Sequence, residues 1–517
     1  MAKRNTRLSR VSTKPLFAGS EWSFKDLART FEAIQDVALN DLGLDVYPNQ
    51  IEIISSEQML DAYASIGMPL MYRHWSFGKR FARDEHLYRR GYSSLAYEIV
   101  INSNPCVSYL MEDNSMAMHA LVMAHAAFGH NHFFKNNYAF RQWTDASGIL
   151  DYLDYAKKYV TRCEERHGLA QVERLLDVAH ALLDHGVFRF RRPAEPSPTQ
   201  TAEREKQRHD FEEKSFNPVL HAVAKAPAST NVLASEEAET ARIETLGLPE
   251  ENLIYFLEKH SPILEDWQRE ILRITRDIAQ YFHPQRQTKL MNEGCATFVH
   301  HHIANALFDR GQLSEGAMLE ILHSHSSVVA QPGFNDPRFN GINPYALGFS
   351  MMRDIARMAT SPTAEDTDWF PELAGSGDWR AALKDAWANF RDESFIRQYL
   401  SPRLMRETKL FVLRDDENSS EYLVSDIHDE RGYSRIRETL ANSYDPSIAE
   451  PDVQVADADL RGQRQLRLKH RMRDGVPLDE KDRKSVVDYI QMLWGYEVVL
   501  TGVEEATGAT AYEVKSG

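Results

Sequence analysis

The sequence predicts an α+β protein: a mainly helical amino-terminal domain with a few strands, followed by a small α+β carboxyl-terminal domain. Three observations carry that reading. Apolar residues recur at helical spacing over most of the chain before Pro402. From Pro402 onward, LFVLRDD, EYLVSDIHD, VQVADAD, RQLRLKHR and YEVVLTGV alternate or cluster as short strands, with helical stretches at Tyr433 to Asn442 and Asp482 to Trp494 between them. In the middle, charge, proline and small residues dominate from Arg191 to Thr245, the composition of a linker or insertion. The expected organisation is a basic tail over 1–20, a first helical half over 21–190, the linker over 191–247, a second helical half over 248–401, the α+β domain over 402–505 and a tail over 506–517.

Composition narrows the function classes. With 43% hydrophobic and 26% charged residues the chain has a globular balance, and 517 residues provide for more than one core. A formal charge of −16 argues against general nucleic-acid binding, which needs a basic face to neutralise phosphates. The basic start, MAKRNTRLSRVSTKPLF, leads into no apolar core of a secretory signal, and no stretch approaches the ~18 consecutive apolar residues of a spanning helix, so a cytoplasmic protein is expected. Cys106, Cys163 and Cys295 are far apart and form no C-x-x-C pair, which speaks against disulfides and thiolate zinc sites.

Taken in order, Trp22, Leu27, Phe31, Ile34 and Ala38 mark one face of a first helix. Ile51 to Ile54 fits a short strand or an extended lead into the helix after Ser55-Ser56, and YRHWSFGKRF fits either an aromatic surface loop or an anion-gripping one. LAYEIVINSNPCV, from Leu95 to Val107, reads as a strand ending where Asn104-Pro105 breaks the ladder. It places Glu98 among apolar residues, either on the strand's exposed face or as a partner supporting a histidine. Asn114 or Ser115 caps the next helix. Asp151 to His167 and Leu169 to His185 read as two helices separated by Gly168; Glu164 and His167 have the spacing of di-iron carboxylate helices, but the second copy such sites need is missing. Further helices follow around Leu253, from Ile263 to Phe282, after Pro284, from Ser314 to Ser324 and at GFSMMRDIARMA. The long loop from Gln331 to Pro344 lies before the last of these.

Two histidine runs carry the chemistry. SMAMHALVMAHAAFGHNHFFKNN places His119, His125, His130 and His132 in or just after an apolar helix, and HPQRQTKLMNEGCATFVHHHI adds Glu293 and three consecutive histidines. A divalent metal needs three or four such donors converging from rigid elements. On a straight helix, at ~100° per residue, His132 shares a face with His125 while His130 lies roughly 140° away. A bulge or helix end at Gly129 would let His125 and His130 both turn inward. In the second run Glu293, Thr297 and His300 share a face. The candidate site is therefore His125, His130, His300 and Glu293 around one divalent ion, zinc first, with Glu293 as fourth ligand or general base; the alternative is a helical core of satisfied histidines. Ala126 follows His125, so the H-E-x-x-H pattern of zinc proteases is absent.

YRHWSFGKRF, YEIVINSNPCVSYLMEDN, AHAAFGHNHFFKNN, HPQRQTKLMNEGCATFVHHHI and NPYALGFSMMRDI together resemble the SpoVR family, named for stage V sporulation protein R, from about Trp22 into the carboxyl-terminal domain. His125, Gly129-His130, Phe133 to Asn137 and Asn292-Glu293-Gly294 match its motifs, and the resemblance implies that they are its functional centre. It also implies a link to spore-cortex formation in the founding member, and a stress or stationary-phase module with a PrkA-type serine kinase and a protein with a von Willebrand-like domain. Two functions are expected: a metal-dependent hydrolase of amide or peptide-like bonds, or a non-catalytic regulatory partner of the kinase.

Overall fold

A computed structural model describes residues 14–64, 71–77, 79, 82–83, 86, 98–189, 246–334, 336–414, 423–426 and 429–517. Most of the expected linker and part of YRHWSFGKRF lie outside these residues. The described chain is mainly helical with three small sheets, an α+β protein. It divides into two compact units, Met1–Asp177 with Asp277–Glu450, and Val178–Arg276 with Pro451–Gly517.

In the first unit, helix α1 (Phe24–Asp36) starts where Ser23 accepts a hydrogen bond from the Asp26 N–H, and it turns Leu27, Thr30 and Ile34 inward. Strands β1 (Asn49–Ile54), β2 (Glu98–Ile101) and β3 (Cys106–Met111) form a sheet in the order β1-β3-β2, with β1 parallel and β2 antiparallel to β3. The segment expected as one strand to Val107 is thus two. Pro105, which has no N–H for a ladder, sits in the connection, where the Ser103 hydroxyl donates to its carbonyl at 2.7 Å. Glu98 lies at the start of β2, an edge strand.

Ser115 caps helix α2 (Met116–Met123) by accepting from the Met118 N–H. This helix is apolar nearly all round and buried accordingly. It passes without a break into a π-helical segment, Ala124–His130, and then into α3 (Asn131–Asn136). The second histidine run lies on α4 (Lys289–Asp309), buried for most of its length. Pro284 does not open that helix; it falls near the end of the preceding one, Asp266–Gln287. Helices α5 (Glu315–Val328) and α6 (Pro344–Thr360) follow, the latter with Asn343 as cap and Pro344 in its first turn. The amino terminus of α4 has no side-chain cap of its own. Asp392, at the start of α7 (Asp392–Tyr399), replaces it: its carboxylate oxygens accept from the Leu290 and Met291 N–H groups at 2.8 and 2.9 Å. Burial pushes the Asp392 carboxyl up to about 8 while those two N–H groups pull it down.

Glycines let three backbones meet around α4. A Cβ on Gly129 of the π segment would lie 2.5 Å from the Ala296 Cα, and one on Gly294 would lie 2.7 Å from the Gly348 backbone of α6. The glycines of A-F-G-H, N-E-G and A-L-G-F are thus contact points on either side of one helix. Strands β4 (Val412–Arg414) and β5 (Leu423–Asp426) make a small antiparallel pair in the same unit.

The second unit carries a sheet in the order β6-β7-β8-β9, with β6 Asp452–Ala458, β7 Leu466–Met472, β8 Val498–Glu504 and β9 Thr510–Lys515. Parallel β7 and β8 are joined through helix α8 (Glu480–Trp494), which buries Val487, Ile490, Leu493 and Trp494. Along β7, Leu466, Leu468, His470 and Met472 are buried and Arg467 and Lys469 exposed, the alternation of a sheet covered on one face. The end expected as a tail supplies β9, which returns along β8 after Gly508 at φ +71°.

Candidate metal centre

The π-helical turn settles the spacing of the first histidine run. In an α-helix, residues five apart diverge; in a π-helix the bonding pattern joins residues i and i+5, bringing them onto one side. His125 and His130 lie in that segment, both buried, with ring centroids 4.6 Å apart. The close approach of Gly129 to Ala296 lets this face lie directly on α4.

Two acids meet these imidazoles. Glu98 Oε1 is 3.7 Å from His125 Nε2, and Glu293 Oε2 is 3.7 Å from His125 Nε2 and 3.6 Å from His130 Nε2. Glu98, His125 and His130 can each offer a ligand atom within 4.8 Å of the others, a group able to hold a metal ion. The acid–imidazole gaps exceed hydrogen-bond length. They are near the ~3.4 Å edge of a tetrahedron whose ligands lie ~2.1 Å from its centre. Glu293 Oε2 is buried without a hydrogen-bond partner among the described residues, the situation of an oxygen that an ion or a bound water would satisfy.

The surrounding groups fix the donors. Asn292 Oδ1 lies 2.9 Å from His130 Nδ1, which directs Nε2 toward Glu293. The Tyr345 side chain, in the first turn of α6, helps to hold the Glu293 carboxyl below its usual range, and its ring stacks with that of His125 at 6.5 Å between centroids. The motif N-E-G therefore supplies an orienting amide, an acid and a helix contact in consecutive positions.

Charge in the cluster is strongly coupled. Burial lowers the His130 imidazole to about 4. Burial works the same way on His125, but Glu293 and Glu98 outweigh it and hold that ring above its ordinary value. Burial also opposes ionisation of Glu293, yet His130 and His125 hold its carboxyl below the usual range. Glu98 is pushed up by burial, His125 opposing and Glu293 adding to the shift.

Of the residues expected from the sequence, His125, His130 and Glu293 come together. His300 lies beside them: its Nδ1 is 2.9 Å from His125 Nδ1 and its Nε2 is 2.9 Å from His325 Nδ1, so both nitrogens are engaged by imidazoles. His132 turns away, with Nδ1 2.9 Å from the Asp45 carbonyl. His301 packs against His325 and Phe349, and His302 against Trp379. Tyr345 and His325 were not among the expected site residues, and Glu98 was expected only as exposed or as a partner supporting a histidine. For Glu98 the signal was present, an acid on an otherwise apolar strand; for Tyr345 and His325 no local pattern marks the role.

Comparison with known proteins follows the same residues. The family profile described as SpoVR like protein matches residues 21–449, and that of the SpoVR-like C-terminal domain matches 451–505. The chain belongs to the SpoVR family. It is 50% identical over 500 residues to the protein YcgB of Escherichia coli (strain K12), covering 97% of this chain and 94% of that one. No solved structure matches it. Both histidine runs and Glu98 fall within the part matched by the first SpoVR profile. No helix among the described residues is long and apolar enough to cross a membrane.

Proposed function

We propose that Glu98, His125 and His130 hold a divalent metal ion, zinc first, and that the protein uses it to hydrolyse an amide or peptide-like bond with Glu293 as general base. The observation that carries this reading is the group of Glu98, His125 and His130, whose ligand atoms lie within 4.8 Å of one another, with Glu293 Oε2 3.6–3.7 Å from both imidazoles. Three protein ligands leave a position open, as metal-assisted hydrolysis requires. A bound divalent cation supplies Lewis acidity and makes water a nucleophile near neutral pH. Glu293, beside both imidazoles, would take the proton of the attacking water and pass it to the leaving amine. Tyr345 steadies that carboxylate, and the Asn292 amide keeps His130 in the ligating tautomer.

The link of the founding SpoVR member to a peptidoglycan layer makes muropeptides the first substrates to try. Free amine released from a muropeptide pool should depend on bound metal, stop on chelation and return with zinc. Glu293→Gln should keep the metal and lose turnover. Loss of the metal in that variant would make Glu293 a ligand instead. The same two histidines and one carboxylate also suit non-haem Fe(II). Iron in the purified protein, with oxygen consumption and no amine release, would overturn hydrolysis and leave the site standing. A metal-free protein would favour the kinase-partner function.

A further inference from the structure

We propose that His300 and His325 form a one-way chain of imidazoles that presents Nε2 of His125 to the metal, which makes His300 a positioning residue and not a ligand. This rests on the metal site proposed above. The direction follows from the site. His125 Nε2 faces the two carboxylates at 3.7 Å each, so it is the nitrogen that meets a cation. A ligating nitrogen carries no proton, and a neutral ring then carries its proton on Nδ1.

That Nδ1–H points at His300 Nδ1, 2.9 Å away, which can only accept. The proton of His300 is then on Nε2, 2.9 Å from His325 Nδ1, which accepts in turn. Each neutral ring has one donor and one acceptor, so ligation at His125 sets the orientation of all three. The rings are buried on three separate stretches of chain, the π segment, α4 and α5.

The chain has a chemical consequence. Metal-bound histidines commonly donate to a carboxylate or a carbonyl, and a carboxylate makes the ring a stronger electron donor. His125 gives its proton to a neutral imidazole and His130 gives its proton to the Asn292 amide, so both remain ordinary neutral donors. The cation keeps more of its charge for the substrate and the attacking water.

Zinc affinity of the full-length protein, measured by competition with a chromophoric chelator, tests the assignment. His300→Leu removes the acceptor and should weaken zinc binding about 10- to 100-fold. His300→Gln offers a side-chain carbonyl in its place and should bind zinc nearly as tightly as the wild type. Equal affinity in all three proteins would overturn the positioning role, and equal loss in both variants would make His300 a ligand. If the wild type takes up no zinc, the metal site itself fails, and this proposal with it. A measurement on the unaltered protein stands beside these: in zinc-loaded, 15N-histidine-labelled protein the His300 proton should be on Nε2, and a proton on Nδ1 would contradict the chain.

Discussion

Asn292 Oδ1 lies 2.9 Å from His130 Nδ1, and the neighbouring residue Glu293 faces Nε2 of the same ring at 3.6 Å. Two consecutive side chains of α4 thus grip opposite edges of one imidazole. Asn292→Leu should leave the helix intact but free the ring to turn, lowering zinc affinity about 10- to 100-fold. Asn292→Asp retains an acceptor and should bind zinc at least as tightly as Asn292→Leu. Chelator competition checks both, and an Asn292→Leu protein with wild-type affinity would remove the orienting role.

Gly294 sits where α4 and α6 touch backbone to backbone, since an added Cβ would be 2.7 Å from Gly348. Neither backbone can swing aside as a side chain would. Gly294→Ala should destabilise the protein by about 1–3 kcal/mol through overpacking and shift Glu293. Gly316, in the first turn of α5 with nothing within 4 Å of its Cβ position, is the control. Gly316→Ala should be neutral or stabilising by up to about 1 kcal/mol. The comparison of thermal midpoints decides it: equal midpoints for the two variants would contradict the packing argument.

His119 is fully buried, edge-on to Trp22 at 5.3 Å, with neither ring nitrogen hydrogen-bonded among the described residues. Burial lowers its imidazole from 6.5 to about 4. Between those values the unfolded chain binds the proton and the folded chain does not, so the contribution is complete above about 6.5 and is lost as pH falls toward about 4. His119→Phe keeps the aromatic contact and removes the titration. Its thermal midpoint should fall less than that of the wild type between pH 7 and pH 5, and parallel curves would refute this.

Much of this organisation can be read from the chain, and the exceptions have physical causes. Helical periodicity locates α1 and the alternation in RQLRLKHR locates β7, because each buries one regular stripe or face; α2 and α4, buried nearly all round, show instead as apolar runs. The pairing of His125 with His130 is legible only as a condition, since a spacing of five means opposite things in α- and π-helices. The condition is met by the π segment, in which Gly129 lies against Ala296, a residue distant in sequence. The second strand after Pro105 is hidden because CVSYLM runs straight into a helix-start signal. Glu98 and His325 reach the site only through tertiary packing, which no local period encodes. The surroundings of His300 have the same origin: its face on α4 is legible, but the neighbours that occupy both its nitrogens come from the π segment and α5.

The central claim is that Glu98, His125 and His130 hold one divalent ion. Metal content of the full-length protein, purified without chelator and dialysed against trace zinc, tests it most directly beside Glu98→Ala and His130→Ala. The account predicts about one ion per chain in the wild type and a loss of most of it in each variant, as for a site of three protein ligands. A folded wild type that takes up no metal, or a Glu98→Ala protein that retains the full complement, would contradict it.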